Sequence, residues 1–517
     1  MNKNDIIQLN IESYGEGGEG VARFDGMAVF VPFTIKGETV KARIILLKKS
    51  YAIGKLEEII VRSPDRVEPK CDAYTKCGGC QLQHMSEKTQ SEFKKSKVKE
   101  CVNRIAFIDF EPADTVSGEN KWRYRNKLQL PLTDNNGLVG GFFAPFSHRI
   151  IEIKDCAIQD ETSLRIFHAL KEYADENNVK GYTEFNHKGL LRHLVTRNTD
   201  GGTLVTVVIN GKILPNSTAL LKKLDDLNIK YGLYINENTD QTNVIVGDKF
   251  THIGGLKTLE TCENGITYTV VPQSFLQINE EIKEEIYQDA IKKANITAND
   301  IVVNAYSGAG LLTAYLANVA KHAYGIEIVK EATDSADELA KRNNLTNKMT
   351  NITGDCKSEL KKLIPQLKKE RDEAIKFRNH QALLNKHVEK ATEKSDDVKC
   401  QLDNQPTLNG TVENKNDNGK IVFILDPPRK GVDLEILQEL KTLKPDKIIY
   451  ISCNPATLAR DIGILRGTLS ITANGVEKSQ PAPLSQSHSD YDLTTLIPYD
   501  MFPQTKHVET LACLERK

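Results

Sequence analysis

The sequence predicts an α/β protein in which a small N-terminal β-barrel and a central α+β domain precede an open, mostly parallel sheet. Short β-type runs separated by glycine turns fill the stretch before Val61, and such spacing is typical of a small closed barrel. In the C-terminal half, strand-like runs alternate with helical patterns, which favours a parallel sheet. The chain has 517 residues, enough for roughly two to four domains. We therefore expect domains at residues 1–62, 63–262 and 263–517, with surface inserts in the last at about 361–420 and 477–492.

Composition limits the classes of function. Lysine and arginine number 69 against 70 acidic residues, so a global basic field is excluded and any nucleic-acid contact must come from local patches. The first ten residues, MNKNDIIQLN, lack an apolar signal segment, and no run approaches the roughly 20 apolar residues of a membrane span. Ten cysteines are too sparse for a disulfide scaffold. We expect a cytoplasmic monomer without membrane contact.

The stretch from Ile421 to Asp461 carries a candidate nucleophile. A short apolar run, Ile421 to Leu425, stops at Asp426-Pro427-Pro428-Arg429, and a second strand pattern from Lys447 to Ser452 stops at Cys453. Open α/β sheets bind ligands at such carboxyl ends. Asn454-Pro455 and a helical pattern follow, and a helix N-terminus favours a thiolate. Cys453 is therefore a candidate nucleophile, and a small buried side chain is the alternative.

Three cysteines near residue 75 form a candidate metal site. Cys71, Cys77 and Cys80 follow a C-x5-C-x2-C spacing, with two glycines before the last that allow a tight turn. A fourth ligand is needed, and we choose Cys156 over Cys101, which lies in a lysine-rich helical stretch. Four thiolates suit zinc or an iron–sulfur cluster, and the spacing alone does not separate these two from free thiols.

A glycine turn near residue 308 predicts a cofactor site. The β-branched run Ile301 to Tyr306 leads into Ser307-Gly308-Ala309-Gly310 and a helical pattern, so the backbone can approach a bound cofactor. Glu327 stands 17 residues after Gly310 at the end of the next strand pattern, where an acid accepts hydrogen bonds from ribose hydroxyls. Asp355 ends a third candidate strand and could serve the adenine end.

Cations alternate with aromatic residues from Lys121 to Lys127, which reads KWRYRNK. Such interleaving suits phosphate contact and base stacking in RNA recognition, although a solvated strand face has the same composition. In the N-terminal barrel the basic residues are few, so an RNA-binding barrel and a spacer both remain open. We interpret the stretch from Trp122 to about Thr258 as a central domain that presents RNA.

Several motifs together resemble the RNA uracil-5-methyltransferase family. The strongest are the Asp-Pro-Pro-Arg turn at Asp426 and the Ser-Cys-Asn-Pro turn at Ser452, which are far more specific together than singly. Gly18 to Arg23 resembles a TRAM domain, an RNA-binding barrel with an OB-like fold. The resemblance also covers the following stretches: Tyr124 to Lys127, Ser147-His148, Gly189 to His193, Gln273 to Asn279 and Lys506 to Thr510.

The resemblance implies a class I S-adenosylmethionine-dependent methyltransferase with a Rossmann-like sheet. It implies that Cys453 is the nucleophile, that Glu509 is the general base and that a [4Fe–4S] cluster is bound by Cys71, Cys77, Cys80 and Cys156. The residues expected around S-adenosyl-L-methionine are Gln277, Tyr306, Glu327, Asp355 and Asp426. Relatives with both cluster and TRAM domain mostly act on 23S rRNA, so this RNA is the expected partner, and a tRNA T-loop is the alternative.

Three departures from the family pattern leave rival functions open. Asn304 and Ser307 stand where the family usually has Asp and Cys, and Leu311 stands where it often has a polar residue. An RNA-binding paralogue without catalysis would tolerate these changes. An amino-group methyltransferase also has a strand that ends in Asp/Asn-Pro-Pro, but it would need neither Arg429 nor Cys453. Retention of Cys453 and Glu509 favours the uracil methyltransferase.

Overall fold

The computed structural model describes residues 1–371, 419–472, 475–478 and 490–517. The chain forms two compact units. The first unit comprises Met1–Gln288, Ser452–Ala459 and Leu496–Leu511, and the second comprises Asp289–Ile451, Arg460–Thr495 and Ala512–Lys517. Most of both expected inserts, residues 372–418 and 479–489, lies outside the described residues.

The N-terminal part of the first unit is a six-stranded sheet with the order β1-β5-β6-β4-β3-β2. Along β5 buried and exposed side chains alternate, so one face covers a core that includes Leu9, Val31 and Ile44. Register shifts between β5 and β6 bend the long strands, as expected of a small barrel. The strands are β1 (Ile6–Asn10), β2 (Ser13–Tyr14), β3 (Gly20–Phe24), β4 (Met27–Val31), β5 (Thr39–Leu47) and β6 (Tyr51–Val61).

The central part of the first unit is a seven-stranded sheet with the order β13-β12-β11-β10-β7-β8-β9. Helix α2 buries Leu164, Phe167 and Leu170 in the core of this part, and Asp160 caps its start by accepting a hydrogen bond from the Ser163 amide at 3.3 Å. The elements are α1 (Glu87–Ala106), β7 (Lys127–Asp134), β8 (Leu138–Phe143), β9 (Ile150–Glu152), α2 (Glu161–Glu176), β10 (Leu191–Thr199), β11 (Gly202–Ile209), α3 (Ser217–Asp225), β12 (Tyr231–Glu237) and β13 (Lys249–Gly255).

A third large sheet has the order β18-β17-β16-β19-β20-β24-β23. Its first five strands are parallel, and β16 and β19 are buried throughout, which explains their continuous apolar runs. These strands confirm the predicted α/β class. The strands are β16 (Ile301–Ala305), β17 (His322–Glu327), β18 (Met349–Thr353), β19 (Ile421–Leu425), β20 (Lys447–Ser452), β23 (Tyr491–Tyr499) and β24 (Glu509–Arg516).

Helices and two short hairpins complete the chain. The hairpins are β14 (Leu259–Glu263) with β15 (Ile266–Val270), and β21 (Leu469–Thr472) with β22 (Gly475–Lys478). The helices are α4 (Glu280–Ala294), α5 (Leu311–Val319), α6 (Lys330–Arg342), α7 (356–371), α8 (Leu434–Leu443) and α9 (Pro455–Arg466). Within the described ranges, no helix is both long and apolar enough to cross a membrane.

Helix α1 is attached to the loop before β24 by a buried ion pair. The Lys94 ammonium contacts the Asp500 carboxylate and also donates to the Phe502 carbonyl at 3.1 Å. Both charged side chains are almost completely buried, because their exposed fractions are 0% and 5%. Burial lowers the pKa of Lys94, and Asp500 acts against that shift. The ammonium therefore depends on this one carboxylate.

We expect Lys94→Met to lower the free energy of unfolding by about 3–5 kcal/mol, because it leaves Asp500 as a buried, unpaired carboxylate. Urea titration followed by circular dichroism measures this loss. Lys95→Met is the matched control on the same helix. Its ion pair with Asp114 is at the surface, so a loss of at most about 1 kcal/mol is expected. In Lys94→Met/Asp500→Leu part of the stability should return, and equal stability of the two single variants would contradict the assignment.

Candidate active site and cysteine cavity

All four predicted cysteine ligands line one cavity of the first unit. Its volume is about 160 Å³, and residues from β8, from the loop after β9 and from the segment before α1 surround it. Cys101 lies on α1 and is not part of this lining. The lining residues are Cys71, Ala73, Tyr74, Cys77, Gly79, Cys80, Gln83, Arg125, Phe142, Ile153, Cys156, Ile158 and Gln159.

The backbone around Cys77 is held close to β8. The Gly78 amide donates to the Phe143 carbonyl at 2.9 Å, and a side chain at Gly78 would place its Cβ 3.0 Å from that oxygen. The next amide, of Gly79, donates to Cys77 Sγ at 3.3 Å. The two glycines therefore allow the close approach that aims the thiols into the cavity.

The thiols of this cavity are buried and hard to ionise. Burial raises the pKa of Cys80 to about 12 and that of Cys156 to about 11, so the thiolates need a bound cation to persist near neutral pH. Among the residues that the structure describes, no three His, Cys, Asp or Glu side chains converge closely enough to hold one ion.

Several side chains of the interleaved stretch KWRYRNK make contacts within the fold. Tyr124 is buried and donates to the Pro503 carbonyl at 3.0 Å. Arg123 forms a bidentate pair with Asp155 at 2.7 and 2.8 Å, and the Lys70 ammonium lies 4.8 Å from the centre of the Trp122 ring. Tyr124 is therefore not available for base stacking, and Arg123 already has a carboxylate partner. These two side chains therefore contribute contacts within the fold, and RNA binding by the rest of the stretch stays a prediction.

Four of the predicted donor-site residues lie at one edge of the second unit. Tyr306, Asp355 and Asp426 follow the ends of β16, β18 and β19, and Glu327 is the last residue of β17. Because these strands are parallel, their carboxyl ends share one edge of the sheet. The second unit thus brings together these four candidates.

Glu327 orders the glycine turn after β16. Its carboxylate accepts the Gly308 amide at 3.0 Å and the Val329 amide at 2.9 Å. Gly308 and Gly310 have φ values of +54° and +84°, which side chains other than glycine rarely adopt. A Cβ at Gly310 would also lie 2.6 Å from the Ala336 Cβ. Each Glu327 oxygen keeps a lone pair for a further donor, such as a ribose hydroxyl.

The departures at Asn304 and Ser307 leave buried polar atoms near this turn. Asn304 donates to Thr313 Oγ1 at 2.9 Å, but within the described part of the chain its Oδ1 and the Ser307 Oγ have no hydrogen-bond partner. The Tyr306 hydroxyl approaches the Asp433 backbone without a well-aligned hydrogen bond. Such unpaired buried atoms are costly without a partner, so the edge suits a polar ligand.

A buried network that the sequence analysis missed supports the Asp-Pro-Pro-Arg turn. Asp461 accepts the Tyr450 hydroxyl at 2.6 Å, the Val432 amide at 2.9 Å and Arg460 Nε at 2.7 Å. Arg460 also donates to the Lys430 and Val432 carbonyls at 3.2 and 3.1 Å. The loop after β19 is thus anchored to α9. No motif in the sequence between Asp426 and Asp461 indicates that Asp461 contacts this loop.

Cys356 is a second residue of this region that no sequence motif indicates. It is buried at the start of α7, and burial raises the pKa of its thiol to about 12, with the Asp355, Asp433 and Glu327 charges adding to the shift. The preceding Asp355 is exposed, and its carboxylate accepts the Ser358 amide at 3.2 Å. Asp355 therefore caps the helix that Cys356 begins.

The predicted nucleophile and base belong to the first unit. Cys453 is half-buried directly after β20, in a turn where Asn454 N donates to Ser452 Oγ at 3.1 Å and Ala456 N to Asn454 Oδ1 at 3.1 Å. Glu509 is 5% exposed and opens β24.

The adjacent strands β20 and β24 run in opposite directions. The Arg516 amide, at the end of β24, donates to the Asp446 carbonyl before β20 at 3.0 Å. The start of β24 therefore lies beside the end of β20, which places Glu509 next to the turn of Cys453.

Gln277, the remaining donor-site candidate, is also in the first unit. It is half-buried, and its carbonyl accepts Asn126 Nδ2 at 2.9 Å. Asn126 also contacts the next carbonyl, because its amide N donates to the Ile278 carbonyl at 3.0 Å. Asn126 therefore holds the backbone of the stretch from Gln273 to Asn279.

Comparison with protein families assigns the chain. A family model described as tRNA (Uracil-5-)-methyltransferase matches residues 86–369 and 411–517, well over half of the sequence. The chain belongs to the tRNA (uracil-5-)methyltransferase family. A TRAM domain model matches residues 3–56. This uracil methyltransferase family member thus carries the TRAM domain that its glycine-rich turn predicted.

Full-length relatives of this methyltransferase have similar lengths. An RNA methyltransferase of Clostridium tetani is 36% identical over 515 residues, which are 99% of this chain and 96% of the relative. An RNA methyltransferase of Halalkalibacterium halodurans is 34% identical over 523 residues, covering 100% and 98%. One from Staphylococcus aureus is 35% identical over 522 residues, covering 100% and 99%. The prediction of an RNA methyltransferase family is confirmed.

A solved structure shares the fold of this methyltransferase. Pyrococcus abyssi tRNA (uracil-54, C5)-methyltransferase, determined in complex with S-adenosyl-L-homocysteine, matches with a TM-score of 0.67 and 21% identity. The match covers 98% of this chain and 100% of that chain. The predicted fold class is confirmed by this match and by the TRAM domain.

The raised pKa of Asp426, which follows β19, can be tested through the pH dependence of stability. Burial raises its pKa to about 7. Asp426 in the folded chain therefore keeps a proton that it releases in the unfolded chain between about pH 4 and pH 7. The contribution of Asp426 to the stability of the folded chain should therefore fall as the pH rises through this window and level off above it.

Asp426→Asn removes this titration. We expect its stability relative to wild type to increase from about pH 4 to about pH 7, reaching on the order of 1–3 kcal/mol at pH 8 after allowance for partial exposure. Melting temperatures across this range measure the effect. Glu331→Gln, an exposed change in the first turn of α6, should stay within about 0.5 kcal/mol at every pH. A pH-independent difference for Asp426→Asn would refute the assignment.

Proposed function

We propose that this protein methylates carbon 5 of a specific uridine in RNA through a covalent cysteine adduct, with S-adenosyl-L-methionine as methyl donor and 23S rRNA as substrate. The observation that carries the proposal is the pairing of Cys453 and Glu509. Cys453 follows the end of β20, and Glu509 opens the neighbouring strand β24, which runs in the opposite direction.

Carbon 5 of uracil is too weak a nucleophile to accept a methyl group unaided, so the base must be activated. The Cys453 thiolate adds to carbon 6, forming a carbon–sulfur bond and an enolate. Carbon 5 of the enolate then forms a bond to the donor methyl group, whose bond to the sulfonium sulfur breaks, so that S-adenosyl-L-homocysteine leaves. Glu509 removes the proton from carbon 5, and the electron pair of that bond re-forms the double bond as the carbon–sulfur bond breaks and frees the thiolate.

The donor contributes a methyl group on a sulfonium centre, and the proposed residues bind and orient it. Glu327 presents carboxylate oxygens whose geometry is fixed by two backbone amides, which suits ribose hydroxyls. Asp355 is proposed to serve the adenine end. Gln277 and Tyr306 complete the donor contacts, and Asp426 contributes a carboxyl whose raised pKa allows it to donate as well as accept.

The cysteine cavity is proposed to hold a [4Fe–4S] cluster bound by Cys71, Cys77, Cys80 and Cys156. The four cysteines line the same cavity, and the family resemblance of their spacing favours the cluster over zinc. The cluster would cross-link the segment before α1 to the loop after β9.

The proposed target is 23S rRNA, which is the substrate that the family resemblance implies for a chain with a TRAM domain and this cysteine spacing. The tRNA T-loop is the second candidate, since the family model and the Pyrococcus structure both name tRNA. Mapping of 5-methyluridine in both RNAs from a deletion strain separates these candidates.

Cys453→Ala and Glu509→Gln should fail at different steps. The alanine variant removes the nucleophile, so we expect no methylation and no covalent RNA complex, with unchanged donor affinity. The glutamine variant keeps addition and methyl transfer but cannot take the carbon 5 proton, so a methylated covalent complex should accumulate. Denaturing electrophoresis with a labelled methyl group detects it.

One control variant and two refuting outcomes complete this experiment. Cys513→Ala, a buried cysteine of β24, should retain activity and adduct formation. Methylation by Cys453→Ala would refute the covalent mechanism. Near wild-type turnover by Glu509→Gln, or no adduct with RNA and donor both present, would assign the base to another group.

Anaerobically purified protein should contain about four irons and four acid-labile sulfides per chain, as a [4Fe–4S] centre requires. Cys71→Ser, Cys77→Ser, Cys80→Ser and Cys156→Ser should each lose the brown colour and weaken RNA binding, whereas Cys101→Ser should keep both. Donor affinity should change little. Stoichiometric zinc without iron would refute the cluster.

A further inference from the structure

Two loops of the first unit share one sequence pattern. Phe146-Ser147-His148-Arg149 and Phe185-Asn186-His187-Lys188 both read phenylalanine, a small polar residue, histidine and a cation. The first loop connects β8 to β9, and the second precedes β10. We call Ala144–Arg149 and Thr183–Lys188 the paired aromatic loops.

The phenylalanines of the paired aromatic loops project into solvent. Phe146 has a relative exposure of 110% and Phe185 of 96%, the highest values among the large apolar side chains whose positions the structure describes. Burial of a phenylalanine side chain stabilises a fold, so full exposure of two on neighbouring loops forgoes that stabilisation. Exposed aromatic groups of this kind mark interaction sites.

Both loops have ordered backbones. In the first, the Ala144 amide donates to the Arg149 carbonyl at 2.9 Å, and Ser147 N donates to the Ala144 carbonyl at 3.1 Å. In the second, Thr183 N donates to the Lys188 carbonyl and His187 N donates to the Thr183 carbonyl, both at 2.8 Å. The phenylalanines are therefore held outward by closed turns.

The two histidines are exposed, but each contacts a neighbouring aromatic side chain. The His148 ring lies 5.5 Å from the Phe143 ring, and His187 Nδ1 lies 2.7 Å from the Tyr182 hydroxyl. His148 Nδ1 also contacts Glu184 Oε2 at 3.0 Å, which joins the first loop to the second. The histidines therefore contact other side chains of the protein, whereas the two phenylalanine side chains project into solvent.

Each loop ends in an exposed cation. Arg149 and Lys188 are exposed, and no carboxylate in the described ranges lies within ion-pairing distance of either one. A cation beside an exposed aromatic ring matches unpaired RNA, in which bases stack on aromatic side chains and phosphates contact cations. An interface with another protein would instead favour a contiguous apolar patch.

We propose that the paired aromatic loops bind a single-stranded segment of the RNA substrate, with Phe146 and Phe185 stacking on unpaired bases and Arg149 and Lys188 contacting phosphates. The inference rests on the proposed function, because it names the part of the RNA that this protein recognises. It assigns base stacking to these loops, whereas the aromatic residues of KWRYRNK are mostly occupied in the fold.

The test measures RNA affinity of the full-length protein by fluorescence anisotropy. The probes are a stem–loop containing an unpaired uridine-rich loop and a fully paired duplex of equal length. We expect Phe146→Ala/Phe185→Ala to weaken stem–loop binding about ten-fold or more and to change duplex binding little. Phe146→Trp/Phe185→Trp should restore affinity, and Arg149→Gln/Lys188→Gln should reduce the salt dependence of binding.

Ile213→Ala is the matched control, because Ile213 is an apolar residue of the same unit with 76% exposure. Its RNA affinity, and the melting temperature and S-adenosyl-L-homocysteine affinity of all variants, should match wild type. Stem–loop binding by wild type with unchanged affinity in the double alanine variant would overturn this inference and leave the proposed function intact. Equal losses on stem–loop and duplex would also overturn it. Absence of RNA binding and methylation in wild type would instead refute the proposed function.

Discussion

The buried contact between Lys94 and Asp500 ties helix α1 to the loop that precedes β24, and the first unit depends on it. Neutral contacts surround the charged pair. Gln90 and Gln504 exchange two hydrogen bonds, from Gln90 Nε2 to Gln504 Oε1 at 3.0 Å and from Gln504 N to Gln90 Oε1 at 3.1 Å. The Gln504 carbonyl accepts the amides of Gln81 and Leu82 at 3.1 and 3.0 Å. Because Gln81 follows Cys80 directly and Glu509 follows this loop, the proposed cluster and the proposed base share one support.

Local patterns predicted the strands of the parallel sheet well. The apolar runs at Ile421–Leu425 and Lys447–Ser452 are β19 and β20, because strands buried on both faces need continuous apolar residues and the proline and asparagine turns end them. The pairing of Lys94 with Asp500 could not be predicted, since it joins positions 406 residues apart and no sequence motif surrounds either residue. Helical charge patterns predict a solvated lysine there.

The candidate site was predictable in its residue types but not in its surroundings. Motifs indicated Cys453, Glu509 and Asp426, whereas the Asp461 network that anchors the turn after β19 depends on tertiary packing of α9. The environment also determines the pKa of Asp426, which burial raises to about 7. The choice of Cys156 required an estimate of which distant segment returns to Cys71, and composition carries no such distance information.

The contacts of the KWRYRNK stretch show what composition leaves open about an RNA surface. Interleaved cations and aromatics look alike in sequence whether their partners are phosphates or the protein's own carboxylates and core, and Arg123 with Asp155 is the second case. Only the contacts in the folded chain separate the two. With a net charge of −1, long-range attraction to RNA is weak, so affinity must come from short-range contacts. Stacking on Phe146 and Phe185 acts only on unpaired bases, and a covalent attack on carbon 6 also needs a base outside a duplex. Recognition and chemistry therefore impose the same requirement on the RNA.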